Sequence, residues 1–188
     1  PPIITLLSGA YGFMYGLFPI IYIIFPAFLL YNLVVDHGQF VKMRQTMEQL
    51  TSDRRLQLLL IGFCFTAFLD SIAGFVAPVA ISTSILVGLG FPAIRAAGLC
   101  LVASAVPAAY GAIGIPVVVM SKVTGLDMQQ LSVTIAQIIP FMSFLIPGWL
   151  VVSLVGWRKA REVWIHIFAC AFSYSVMTWL VATYFGPY

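Results

Sequence analysis

The chain has 188 residues, of which 62% are hydrophobic and only 8% are charged, with a formal net charge of +3 and a mean hydropathy of +1.05. That much apolar surface cannot be hidden inside one water-facing globule, so lipid is the consistent solvent. A nucleic-acid partner is excluded by the placement of the cations, which sit in short stretches between apolar runs and form no stripe.

The charges leave long uncharged runs at 1–35, 56–69, 71–94, 96–121, 128–157 and 163–188. A helix rising 1.5 Å per residue needs about 20 residues to cross a hydrocarbon core of about 30 Å, so about five or six membrane segments are expected. Backbone groups in lipid must be satisfied within the segment, and the runs lack the alternation of a closed barrel. The predicted class is therefore an all-α, polytopic integral membrane bundle. Residues 1–188 read as a single transmembrane domain, and because the chain opens at Pro1 and enters apolar sequence directly, it is expected to be part of a longer protein.

The first run carries Pro19 and Pro26. After it, residues 36–56 form the first polar stretch, with Lys42, Arg44, Arg54 and Arg55, and the spacing of Val41, Met43, Met47 and Leu50 predicts an amphipathic connector on the cytoplasmic interface. The last polar stretch holds Arg158, Lys159 and Arg161. By the positive-inside rule both stretches face the cytoplasm, so an even number of crossings separates them. Three apolar stretches lie between, and one of them must enter and leave by the same face or be broken.

A second helix from Leu56 meets Asp70, followed by Ser71, Gly74, Pro78 and the hydroxyls Ser82, Thr83 and Ser84. Pro78 removes a backbone donor and Gly74 relaxes the chain, which predicts an interrupted helix with the hydroxyls satisfying freed backbone groups. Gly88, Gly90 and Pro92 predict a turn before Arg95, and a second interruption is expected between Ser104 and Pro116, where Pro107, Gly111 and Gly114 crowd together. Residues 68–120 thus form the predicted transport core. Asp127 reads as a helix N-cap ahead of two ordinary spanning helices at about 132–155 and 163–185. Trp149, Trp157, Trp164 and Trp179 are candidate interfacial anchors at their ends, with Trp149 and Trp179 equally suited to face lipid or core.

Broken helices expose backbone N–H groups and helix N-termini within the membrane, which suits a small anion such as a carboxylate. Asp70 directly abuts a break, and an intramembrane carboxyl is costly enough to be a functional candidate, here for carrying a proton. Arg95 is its candidate charge partner or a substrate clamp, the other reading being a helix-end arginine that snorkels to water, and Ser71, Gly74, Ser82, Thr83, Ser104, Gly111 and Gly114 are the candidate substrate-binding positions. Cys64, Cys100 and Cys170 show no paired spacing and read as apolar fillers, and His37 and His166 have no ligand-spaced partner, so no metal and no cofactor is implied. An intramembrane aspartyl protease would need a second carboxylate, and a metalloprotease a His-Glu-x-x-His pattern that is absent.

The stretches FLDSIAGFVAPVAI (68–81), ILVGLGFPAIRAAGLCL (85–101) and PAAYGAIGIPV (107–117) resemble the lactate permease family of bacterial secondary transporters, over about residues 60–120. The resemblance implies symport of a proton with lactate or glycolate across the bacterial cytoplasmic membrane by a protein much longer than this chain, whose missing parts would be its partners. The family pattern has a glutamate and glycines where this sequence has Asp70, Ser71 and Ile72, a glycine at Val76, and an Asn-Thr pair at Ser104 and Ala105. The acid is kept in kind but shortened by a methylene. A transporter of another small organic anion and a non-transporting homologue remain the alternative readings.

Overall fold

The computed structural model describes residues 2–38, 42, 45–46, 51–74 and 77–186, and these are helical throughout apart from short turns. Two compact units appear, 1–40 and 41–188. The first consists of one 35-residue helix, α1 (Pro2–Asp36), running through Pro19 and Pro26 without a break. Its side chains are widely exposed, among them Leu6, Phe18 and Tyr22 at more than three-quarters of their surface. The predicted amphipathic connector at 36–56 lies largely outside the described residues.

The second unit opens where Asp53 caps α2 (Arg54–Gln57), its carboxylate accepting from the Arg55 N–H at 2.8 Å. The Arg55 guanidinium beside it holds the Asp53 carboxyl below the ordinary carboxylate range. Without interruption the rod continues as a π-helical stretch, Leu58–Phe65, and then as α3 (Thr66–Ala73). At the end of the π-helical stretch the Ile61 carbonyl accepts from both the backbone N–H and, at 3.0 Å, the buried hydroxyl of Thr66.

At Gly74 the rod ends with φ 60° and ψ −172°, a conformation open in practice only to glycine. The chain turns into α4 (Ala77–Gly88), with Pro78 in the first turn, where a missing N–H costs nothing. A tight turn through Gly90 at φ 88° leads to α5 (Ala93–Ser104). Arg54 sits 5.6 Å from the centre of the buried Phe91 ring in that turn. The chain therefore leaves the Arg54 end along the rod and returns to it along α4.

Residues Pro107–Tyr110 form a single 3-10 turn before α6 (Gly111–Thr124), which closes on Gly125 in the left-handed region. Asp127 caps α7 (Met128–Val155) by accepting from the Gln130 N–H at 3.0 Å, as its position predicts. A short helix, α8 (Trp157–Ala160), and one 3-10 turn lead into α9 (Trp164–Tyr184). Arg55 donates to the Lys159 carbonyl at 2.8 Å and to Glu162 at 2.6 Å, which puts the Arg54–Arg55 and Arg158–Arg161 stretches at the same end. From that end α5 and α6 lead away, and α7 leads back.

Helices α7 and α9 pack along their length through small residues, with Ser143, Ala171, Ser175 and Ala182 buried. Leu59 of the π-helical stretch joins Val151, Ala160 and Val163 in a shared apolar cluster at the basic end. Among the described residues Arg54–Ile72, Met128–Val155 and Trp157–Tyr184 are long and apolar enough to cross a membrane, whereas α4, α5 and α6 are short apolar helices. At 12 residues each, α4 and α5 rise only roughly 18 Å. Their junctions must therefore lie inside the membrane.

Candidate functional site around Asp70

The breaks at Gly74 and between Ser104 and Gly111 meet at Asp70. On the last turn of α3 this carboxyl is 2% exposed, and its Oδ2 accepts from the Ser104 hydroxyl at 2.5 Å. Ser104 is the final residue of α5, so the broken end of that helix is what presents the hydroxyl. Gly111, the first residue of α6, stands against the other side, and a Cβ there would lie 3.5 Å from the Asp70 carbonyl, 3.7 Å from Oδ1 and 3.8 Å from the Gly74 Cα. Four sequence-predicted positions, Asp70, Gly74, Ser104 and Gly111, thus form one site. No cation bonds the carboxyl among the described residues, and none of their His, Cys, Asp and Glu side chains gather in threes as a metal site would require.

Helix polarity adds to this geometry. α4 begins three residues after Gly74, and α6 begins at Gly111, so the N-terminal ends of two half-helices start at the level of Asp70. Their leading N–H groups have no partner within the helix and carry partial positive charge, which favours an anion there. Tyr110 fixes the approach of α6, its hydroxyl donating to the Ser132 carbonyl of α7 at 2.6 Å. The site therefore combines a buried acid, a hydroxyl donor and two positive backbone ends.

The profile of the L-lactate permease family matches residues 1–188, the whole chain. The chain belongs to that family. It is 45% identical over 180 residues to the glycolate permease GlcA of Escherichia coli (strain K12), an overlap of 96% of this chain and 32% of the relative. It is 42% identical over 183 residues to the L-lactate permease of the same organism and 44% identical over 183 residues to that of Bacillus subtilis (strain 168), covering 97% of this chain in each case and 33% and 32% of the relatives. The chain thus spans about a third of the length of these curated relatives. No solved structure matches it.

Within this permease segment the remaining predicted positions fall elsewhere. Ser71, one residue on from Asp70 and so rotated about 100° around the helix, is exposed and bonds back to the Ala67 carbonyl at 2.9 Å. It lines a groove of about 510 Å³ against α9 with Phe63, Cys64, Cys170 and Tyr174, away from the Asp70 carboxyl. Ser82 and Thr83 sit in the middle of α4, the Ser82 hydroxyl buried without a hydrogen-bond partner among the described residues and the Thr83 hydroxyl beside the Cys100 thiol. They do not satisfy freed backbone groups as expected, and Ser84 bonds within its own helix to the Ala80 carbonyl at 2.8 Å. Gly114 is buried at φ 73° in the opening turn of α6.

Arg95 is exposed near the start of α5, nine residues from Ser104 and so about 13 Å along the helix axis, which fits a helix-end arginine reaching water better than a counter-charge to the acid. Cys64 and Cys170 also depart from the reading as unrelated fillers, because their sulfur atoms stand 3.6 Å apart. Nothing in their spacing announces this, since only the packing of α9 on the π-helical stretch brings them together. Tyr110 and Tyr174 were missed as well, the latter packing edge-on against Phe63 at 5.9 Å. The available signal was a polar tip in apolar sequence, which needs a partner when buried.

Proposed function

We propose that this segment forms the substrate core of a proton-coupled symporter for lactate or glycolate in the bacterial cytoplasmic membrane, with the Arg54 and Arg158 end on the cytoplasmic side. The observation that carries the reading is the buried Asp70 carboxyl at the meeting point of two helix breaks, bonded to Ser104 and to no cation. Keeping such a carboxyl charged in a low-dielectric setting is costly, so it holds a proton while the site is closed and releases it where water enters. The anionic cargo offsets the proton. A carboxylate at the N-terminal ends of α4 and α6 brings one negative charge and Asp70 carries one proton, so cargo and proton together move no net charge across the membrane.

The α-hydroxyl shared by lactate and glycolate needs one donor and one acceptor. Ser104 can offer both through its hydroxyl, and Asp70, while it carries its proton, can donate that O–H and accept at its other oxygen. A site arranged around that hydroxyl rejects a monocarboxylate lacking it, because a buried polar group would be left unpaired. Two relatives with names pointing to different cargoes, glycolate for one and L-lactate for the other, support a 2-hydroxymonocarboxylate class over a single acid.

The test is uptake of radiolabelled L-lactate and glycolate into proteoliposomes of the full-length protein, with and without an inward proton gradient. Wild type should accumulate either acid against its gradient, and Asp70→Asn should lose gradient-driven accumulation while still exchanging cargo. Proton-dependent accumulation that survives in Asp70→Asn would move the proton site elsewhere.

A further inference from the structure

At the basic end of the second unit, residues of α7, α8 and α9 line an open groove of about 500 Å³. Its walls are apolar and aromatic, with Phe144, Leu145, Trp149, Trp164 and Ile167 along its length, and Arg161 stands at its rim. The flanking turn is held in place from outside the groove. Gly156 takes φ 80°, the Lys159 carbonyl accepts from Arg55 at 2.8 Å, and Glu162 pairs with Arg55 at 2.6 Å. Glu162 is thereby drawn to the Arg55 side, and Arg158, Lys159 and Arg161 remain exposed with no acidic partner among the described residues. An aromatic, membrane-level groove ends in a cationic rim.

We propose that this groove binds one anionic phospholipid, with the acyl chains along Phe144, Leu145 and Ile167 and the headgroup phosphate against Arg161 and Arg158. Charge complementarity selects the occupant. An apolar segment of the same protein would fill the groove but leave Arg161 at its rim, with the exposed Arg158 and Lys159 of the adjoining turn, without a counter-charge, whereas a lipid phosphate meets them at the depth where Trp157 and Trp164 mark the interface. A guanidinium suits this task because it can grip a phosphate with two parallel N–H donors. The proposal is independent of the transport reading, since it needs only that α7 and α9 stand in a bilayer.

The experiment uses the full-length permease in mild detergent, supplied with phosphatidylglycerol or phosphatidylcholine and read by native mass spectrometry. Wild type should retain one phosphatidylglycerol in preference to phosphatidylcholine. Arg158→Gln with Arg161→Gln should weaken that retention roughly 30-fold, from about 1 kcal/mol per basic residue near an anionic surface, and Arg158→Lys with Arg161→Lys should keep most of it. A photo-cross-linking residue in place of Trp164 supplies the second readout and should capture lipid. Equal retention of the two lipids, retention unchanged in the double Gln variant, or capture of another segment of the permease instead of lipid would each overturn the proposal.

Discussion

The α7–α9 pair and the hairpin that carries Asp70 are built from the same residue types and solve the membrane problem in opposite ways. α7 keeps one continuous helix for 28 residues with Pro140 and Pro147 inside it, and α1 runs through Pro19 and Pro26 in the same manner. The Asp70 region breaks twice, at Gly74 and between Ser104 and Gly111. A proline alone is therefore not enough to break these helices, although Pro107 does stand within the second break. The first break falls where glycine takes a positive φ, at Gly74, and Pro78 behind it only tightens the restart. The difference separates a scaffold, whose serines bond back into their own helices, from a site, whose serine reaches across to another helix.

The largest expected effect tests whether the two regions move against each other. Cys64 lies on the rod that leads to Asp70 and Cys170 lies on α9, with 3.6 Å between the sulfur atoms. A membrane-permeant two-electron oxidant should convert the two thiols to a disulfide, releasing two protons and two electrons to the oxidant. If transport moves the Asp70 hairpin against a fixed α9, uptake by the full-length protein should stop on oxidation and return with a thiol reductant, and Cys170→Ser should be immune. Full activity with the cross-link confirmed by peptide mass spectrometry would mean that rod and α9 travel together.

Next in size is the contrast between glycine and proline. Gly74→Ala forces a side chain into φ 60°, ψ −172° and should cost about 1–3 kcal/mol. Pro140→Ala, in the middle of an unbroken helix, should change stability by less than about 1 kcal/mol and in the favourable direction, since the native helix already accommodates the residue. Unfolding in mixed detergent micelles measures the pair. Equal costs would restore proline as the structural determinant.

Much of this architecture is legible in sequence, and the illegible part has a physical cause. Length and apolarity announce the helices, and the acid beside Gly74 and Pro78 announces the first break. The two basic stretches require a hairpin that returns to its own face, and Arg54 on Phe91 and Arg55 on Glu162 place the hairpin turn and both stretches at one end. Side-chain direction is what sequence position hides. Ser71 neighbours Asp70 yet points to α9, and Arg95 shares a helix with Ser104 yet stands at its far end. The Cys64–Cys170 approach and the Tyr110–Ser132 bond span 106 and 22 residues and depend on packing between elements. The π-helical winding at Leu58–Phe65 carries no glycine or proline other than Gly62, so an apolar run conceals it.

The smallest effect compares two serines that make similar bonds on paper. Ser104 donates across a helix break to a buried carboxyl, whereas Ser143 donates to the Ile139 carbonyl one turn back in its own helix at 2.9 Å. Ser143→Ala should be close to neutral in stability, because that carbonyl already receives a backbone bond and the extra one slightly bends the helix. Ser104→Ala instead leaves a buried acid without its hydroxyl partner, at about 1–2 kcal/mol. The distinguishing readout is uptake, which should fall in Ser104→Ala and recover in Ser104→Thr, where a hydroxyl returns to the same position. If Ser104→Ala and Ser143→Ala prove equally silent in uptake and in stability, the Ser104–Asp70 bond is packing detail and the division between scaffold and site must be drawn without it.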